Sequence, residues 1–387
     1  MRILFVVAGL PRKGGGFAEA VPAMASALSR RGCEVTIATV GHDDDLAQTA
    51  LDVQASGVKV VTFAPSWPRR IHFSWSMLRS LDALVRENDV VYLQGCWTFP
   101  IWHGGRLALR NGKQLVMGPA GSLNPVHLRK SRFAKRIASV IDYHLLRRAD
   151  AVHATSEDER AWTLDVCGMR SRADHVRIVP LGVEAPASLC AGAASSSPDS
   201  LLYLGRIHPM KGLDMLLEAL ALHIAENKSS HVRLTICGPD EMGTLASIRS
   251  LASRLGIADH VDFHAPVHGD AKWRLIAEAG CVVLPSRGEN FGIAIAEGLA
   301  AGRPAICTRA CPWPMLESEG IGWLADCDAR SLARAIGAFA SSPHEVRDEM
   351  GIRAREFANA HLSTERMADA LMAMIADASS HCDRAEA

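Results

Sequence analysis

The chain has 387 residues, 48% hydrophobic and 22% charged, with 42 basic side chains against 42 acidic ones. That is an ordinary globular balance with enough apolar material for two cores, and the length suits two domains of about 150–200 residues each. It gives no support to nucleic-acid binding, and no apolar stretch approaches the roughly 18 residues that a membrane span needs.

Met1 to Leu10 carries one positive charge and a short apolar run leading into Gly and Pro, which reads as a buried strand rather than a secretory leader. The expected location is therefore cytoplasmic. The ten cysteines are scattered without a Cys-x-x-Cys pair, and Cys237, Cys281 and Cys307 sit inside apolar runs. Reduced core cysteines explain this more simply than disulfides or zinc, and Cys307 and Cys311 lack matching His or Cys partners nearby, so no metal site is expected. Charge is uneven: residues 1–184 hold 24 Lys and Arg against 17 Asp and Glu (+7), and the remainder holds 18 against 25 (−7). A basic half can face anionic lipid or an anionic acceptor, or the two domains can simply differ.

Short apolar runs alternate with amphipathic stretches along the chain. Ile3–Val7, Val35–Val40, Val58–Phe63, Val90–Leu93, Gln114–Met117 and Ala151–Ala154 read as strands, with helices over Glu19–Arg30, Trp75–Glu87 and Arg136–Arg147. A small, Pro- and Ser-rich segment, 185–200, reads as a linker. The alternation then restarts with strands at Leu201–Leu204, Arg233–Cys237, Val261–His264, Cys281–Leu284 and Pro304–Cys307. This predicts an α/β chain of two doubly wound, Rossmann-like domains, 1–184 and 201–364, with a reaction site in the cleft where they face each other. A final helix lies within 365–378, followed by a weakly structured tail, Ser379–Ala387.

Gly14-Gly15-Gly16 follows the first strand and precedes a helix, so its backbone N–H groups can approach an anion, although glycine runs also make ordinary turns. The segment 127–136 holds five Lys and Arg and no acid, suited to an anionic membrane surface or to a plain solvated face. Trp97, Trp102 and Trp162 are stacking candidates for sugar rings or core residues. Arg206 and Lys211, five residues apart beside Gly205 and Gly212, occupy a strand-to-helix turn and suit a diphosphate leaving group. Glu289 lies on the loop after another strand, with Asn290, Phe291 and Gly292 presenting N–H groups to an anion at the following helix. Glu297 stands in the apolar helix Ile-Ala-Ile-Ala-Glu-Gly-Leu-Ala-Ala, where a buried carboxylate needs a partner.

The ordered set Gly205-Arg206-x4-Lys211-Gly212 and Glu289-x7-Glu297 resembles the donor site of retaining glycosyltransferases of family 4, which have the GT-B fold. The resemblance runs from the Gly14–Gly16 loop through Ala154-Thr155-Ser156-Glu157, Val179-Pro180-Leu181-Gly182-Val183 and Cys237-Gly238-Pro239 to the last helix. It implies that Arg206 and Lys211 hold the donor diphosphate, Glu289 the transferred sugar and Glu297 the ribose, with backbone near Pro266 and Val267 meeting the base. It also implies that the last helix crosses back to the N-terminal domain. A nucleotide-sugar donor is the implied partner, without a cofactor or metal.

A narrower likeness, carried by Gln94-Gly95-Cys96-Trp97, Pro119-Ala120-Gly121-Ser122-Leu123 and Pro312-Trp313-Pro314, is to bacterial transferases of lipopolysaccharide O-antigen or exopolysaccharide synthesis. That implies a glycan or polyprenyl-diphosphate-linked acceptor and a peripheral position on the cytoplasmic membrane. Such relatives commonly carry His or Arg where this chain has Ala120, a departure bearing on sugar specificity or activity. The competing readings are a phosphorylase, a sugar-nucleotide epimerase, or a non-catalytic sugar-nucleotide-binding subunit.

Overall fold

Ile3 to Val7 are all 0% exposed, the mark of a strand covered by helices on both faces. The computed structural model of the chain describes residues 1–10, 16–42, 52–128, 132–186 and 197–385. The chain divides into two units, Met1–Gly182 with Thr364–Ala387, and Val183–Ser363.

The first unit holds a seven-stranded sheet: β1 (Arg2–Val7), β2 (Glu34–Val40), β3 (Lys59–Phe63), β4 (Val90–Gln94), β5 (Gln114–Gly118), β6 (Ala151–Ala154) and β7 (Val176–Ile178). Their order is β3-β2-β1-β4-β5-β6-β7, with every ladder parallel. The order reverses between β1 and β4, the kind of switch point at which doubly wound sheets bind ligands. Helices begin where side chains can cap them. Ser74 accepts from the Met77 N–H at 3.2 Å to start helix Trp75–Glu87, and Ser156 does the same for Glu159 at helix Glu157–Cys167.

The last helix, Thr364–Ala385, lies on this unit. Met367, Leu371 and Met374 are buried along it, Arg30 donates to the Thr364 hydroxyl at 3.1 Å, and Gln114 donates to the Ile375 carbonyl at 2.6 Å. The helix continues through Ser379 to Ala385, where a weakly structured tail was expected. That stretch contains no Pro or Gly to end it.

The second unit holds β8 (Ser197–Leu204), β9 (Arg233–Cys237), β10 (Val261–His264), β11 (Ala279–Leu284), β12 (Ala305–Thr308) and β13 (Gly322–Ala325), again all parallel, in the order β10-β9-β8-β11-β12-β13. Its switch point lies between β8 and β11. Two strands, β7 and β13, escape the sequence reading: β7 has only three residues, Val-Arg-Ile, and β13 is Gly-Trp-Leu-Ala, without a β-branched residue. The linker expected over 185–200 is shorter at its end, because Ser197 to Ser200 already belong to β8, where Ser200 pairs with Arg233. Residues 187–196 lie outside the described residues.

Candidate functional site

Two loops flank the β8/β11 switch point of the second unit. The first, Gly205 to Gly212, ends β8 and feeds helix Leu213–Glu226. Gly212 caps that helix at φ 68°, and a Cβ there would lie 2.1 Å from the Pro285 carbonyl oxygen. Only glycine permits the loop after β8 to touch the loop after β11 in this way. The loops are also stitched together by Arg287, whose backbone N–H donates to the Met210 carbonyl and whose side chain donates to the Pro209 carbonyl, each at 2.9 Å. Both terminal nitrogens of Arg287 then reach Asp214 at 2.8 Å, a fork-to-carboxylate fit. Beneath them the Tyr203 hydroxyl donates to the Arg206 carbonyl at 2.6 Å.

Inside this frame Lys211 and Glu289, 78 residues apart in sequence, form an ion pair between Nζ and Oε2. Their side chains are only 16% and 15% exposed, so solvent screens the pair weakly. Glu289 also accepts from the Ser286 hydroxyl at 3.3 Å and from the Asn290 N–H at 3.1 Å. The N–H of Asn290 therefore serves the carboxylate of its own neighbour. Phe291 is buried, and its carbonyl accepts from the Trp313 indole at 2.5 Å. Gly292 caps helix Ile293–Ala300 at φ 83°.

Glu297 sits in that helix with its side chain 8% exposed and receives Lys272 Nζ at 2.7 Å. Lys272 belongs to helix Gly269–Glu278, which starts just after Pro266 and Val267 on the loop that leaves β10. Pro266 is exposed and Val267 half-buried. Arg206 is more open: one nitrogen reaches both oxygens of Glu241, at 2.8 and 2.6 Å, with side chains 37% and 43% exposed. Glu241 lies just past the turn after β9, where a Cβ on Gly238 would fall 1.8 Å from the Gly205 carbonyl oxygen.

The structure thus joins Lys211 to Glu289 directly, while Arg206 lies on the loop after β8, Glu297 in helix Ile293–Ala300, and Pro266 and Val267 on the loop after β10, all in the same unit. Lys272 and Glu241 went unnoticed in the sequence, since each lies 25–35 residues from its partner. Only the unpaired look of Glu297 in an apolar helix hinted at one of them. Gly14 and Gly15 lie outside the described residues, and Gly16 begins helix Gly16–Arg30 of the first unit.

In the first unit the loops after β4 and β5 carry two non-glycine residues in left-handed backbone, Trp97 at φ 68° and Ala120 at φ 52°. Each loop is held by a buried carboxylate. Asp142 accepts from the Trp97 N–H at 3.2 Å and from the Trp102 indole at 2.9 Å. Glu159 accepts from the Gly121 N–H at 2.6 Å and from the Thr155 N–H and hydroxyl at 2.7 and 2.8 Å. Both are 0% exposed. Burial pushes the Asp142 carboxyl up to about 6, against the pull of its two N–H donors. The indole of Trp97 donates to the Ser122 carbonyl at 3.4 Å and ties the two loops together. Trp102 and Trp162 are half-buried against the core of this unit. Among the described residues no three His, Cys, Asp or Glu side chains gather as a metal-holding group, and no helix is long and apolar enough to cross a membrane.

Family comparison matches residues 14–185 to the model described as Glycosyltransferase Family 4, and residues 192–357 to Glycosyl transferases group 1. Among curated proteins, a D-inositol 3-phosphate glycosyltransferase of Streptomyces griseus is 34% identical over 160 residues, covering 40% of this chain and 34% of that protein. A protein of the same name from Geodermatophilus obscurus is 30% identical over 244 residues, covering 59% of this chain and 53% of its own length. The chain thus spans about a third to a half of the length of these relatives. Among solved structures, Anabaena Alr3699/HepE in complex with UDP and glucose superposes with a TM-score of 0.75 at 18% identity, covering 97% of this chain and all of that one. WaaG, a glycosyltransferase involved in lipopolysaccharide biosynthesis, superposes with a TM-score of 0.68 at 18% identity over 95% and 99% of the two chains. At these identities the superpositions show the fold, a pair of parallel-sheet Rossmann-like domains.

Proposed function

The chain belongs to the GT-B glycosyltransferases, with group 1 and family 4 domains, and from that premise we propose that it moves a sugar from a nucleoside-diphosphate sugar to a glycan or polyprenyl-diphosphate-linked acceptor in cell-surface polysaccharide synthesis. The observation that carries this reading is the Lys211–Glu289 pair, poorly exposed and braced where the loops after β8 and β11 meet. In a doubly wound sheet that edge, at the switch point, is where ligands bind.

In this reading Lys211 and Arg206 take the donor diphosphate. As the glycosidic bond breaks, negative charge grows on the leaving phosphate. A cation already fixed by Glu289 meets that charge without reorganising, and no metal is called on for it. Glu289 holds the transferred sugar, and its backbone neighbours Asn290, Phe291 and Gly292 border the same space. Glu297 grips the ribose, its charge held in place by Lys272, while the base lies along Pro266 and Val267. The two buried carboxylates among the described residues of the first unit, Asp142 and Glu159, are engaged by backbone and indole N–H groups. Front-face substitution with retention therefore fits better than double displacement, a departing phosphate oxygen accepting the acceptor proton. Enzyme and acceptor meet at the cytoplasmic face of a membrane.

A thermal-shift screen against UDP, GDP, ADP and their sugars tests the reading. UDP heads it because it is the nucleotide of the Anabaena structure. The matching nucleotide should raise the melting temperature in wild type by mass action and raise it less in Lys211→Ala. A chain whose stability no nucleotide changes is not a donor-binding protein, and the reading is then wrong.

A further inference from the structure

We propose that the segment from Trp67 to Arg79 in the first unit is a docking surface for an anionic lipid bilayer. This deepens the reading of a lipid-linked acceptor and rests on it. Trp67 is 85% exposed, Trp75 55% and Leu78 37%. Arg69, Arg70 and Arg79 are exposed among them, and no Asp or Glu occurs from Ala64 to Leu81. Single exposed apolar residues are ordinary on a protein surface. Two tryptophans and a leucine interleaved with three arginines and no acid have the composition of a membrane–water interface.

The segment is braced, so the rings are presented and do not merely dangle. The Ser66 N–H donates to the Phe73 carbonyl at 2.7 Å, the Trp75 N–H donates to the Ser66 hydroxyl at 3.3 Å, and the His72 N–H donates to the Arg69 carbonyl at 3.0 Å. Phe73 lies edge-on to Trp75 and to Phe99, at 4.9 and 4.7 Å between ring centres. It anchors the segment inward while Trp67 projects outward. The Arg guanidinium fork matches lipid phosphate.

A glycan is the competing occupant, since aromatic rings also stack on sugars. Sugar sites are concave and cover the ring they use. A tryptophan that is 85% exposed projects from the surface instead, which favours entry into a bilayer interface.

The test uses the full chain and sedimentation with vesicles of phosphatidylcholine alone or with one-third phosphatidylglycerol. Wild type should partition onto the anionic vesicles and weakly onto the neutral ones. Arg69→Gln with Arg70→Gln should lower that partitioning about 25-fold, a factor of about five per arginine, and 0.5 M salt should do the same to wild type. Trp67→Ala, alone or with Trp75→Ala, should lower it about tenfold with salt dependence kept. Trp67, Arg69 and Arg70 are exposed, so the melting temperatures and nucleotide-induced shifts of the variants confined to them should match wild type. Nucleotide binding without vesicle binding overturns the docking surface and leaves the donor reading standing. Vesicle binding through Trp67 without nucleotide binding does the reverse. Variants that bind vesicles like wild type also overturn the proposal. Loss confined to Arg129→Gln with Lys130→Gln would then move the contact to the basic segment. Loss of transfer to a detergent-solubilised acceptor, with vesicle binding kept, would make the surface a glycan subsite.

Discussion

The carboxyl edges of the two sheets are built from different interactions. At the second-unit edge the charged side chains pair with one another: Lys211 with Glu289, Lys272 with Glu297, and Arg206 with Glu241. At the first-unit edge the carboxylates of Asp142 and Glu159 are spent on main-chain N–H groups, the Trp102 indole and the Thr155 hydroxyl, and they hold left-handed residues at Trp97 and Ala120. The second arrangement carries charge that a polyanion can engage. The first carries shape, because backbone strain survives only where surrounding groups over-determine it. A sugar donor with a diphosphate suits the one, and a partner recognised by contour suits the other.

The largest test of this contrast is Lys211→Ala. Turnover should fall about 100- to 1000-fold in steady-state assays. Stability should fall by only about 1–3 kcal/mol, because Glu289 keeps the Ser286 hydroxyl and the Asn290 N–H. A folded variant with wild-type turnover would erase the charge-based half of the comparison.

Next in size is the pH dependence that comes from Asp142. Its folded pKa, about 6, lies above the ordinary value of 3.8 because burial disfavours the charged form. The folded chain therefore binds more protons than the unfolded chain between those values. The contribution to stability is complete below pH about 4 and is lost as pH rises through about 6, a change of about 3 kcal/mol at most. Urea unfolding of wild type from pH 4 to 7 should show that decline, and Asp142→Asn should lack it. Parallel curves would show that Asp142 titrates as an exposed carboxylate and holds nothing.

Gly212→Ala comes third. It forces a Cβ to 2.1 Å from the Pro285 carbonyl at φ 68°, so it should destabilise by about 2 kcal/mol or more and weaken nucleotide binding as the two loops part. The smallest effect belongs to Ala120→Gly, which relieves a left-handed Ala at φ 52°. Chemical denaturation should show a gain of about 0.5–1 kcal/mol, less whatever the glycine adds to unfolded-chain freedom. If stability instead drops, the Ala120 methyl is packed in a way that its backbone does not reveal.

Much of the fold was legible in the sequence because parallel strands buried on both faces are continuous apolar runs. Arg233–Cys237 and Val261–His264 match the observed strands residue for residue. β7 and β13 were not legible: β7 is only Val-Arg-Ile, and β13 is Gly-Trp-Leu-Ala, which has no β-branched residue to mark it. In the second unit the spacing of Arg206, Lys211, Glu289 and Glu297 was visible, and so was the need of Glu297 for a partner. The identity of that partner was not. Nothing in the composition of helix Gly269–Glu278 marks Lys272 over any other surface lysine, and the same holds for Asp142, 45 residues from the N–H group that it holds.

Read alone, the sequence determined what depends on near neighbours: the alternation of strands and helices, the glycine-flanked cations at one turn, and two glutamates on either side of a helix start. Tertiary structure decided which turns meet. Parallel strands are joined by crossovers, so strands adjacent in the sheet are distant in the chain, and β8 lies beside β11 with two strands between them in sequence. That strand order brings Lys211 to Glu289 across 78 residues, and no periodicity or spacing of the chain encodes it.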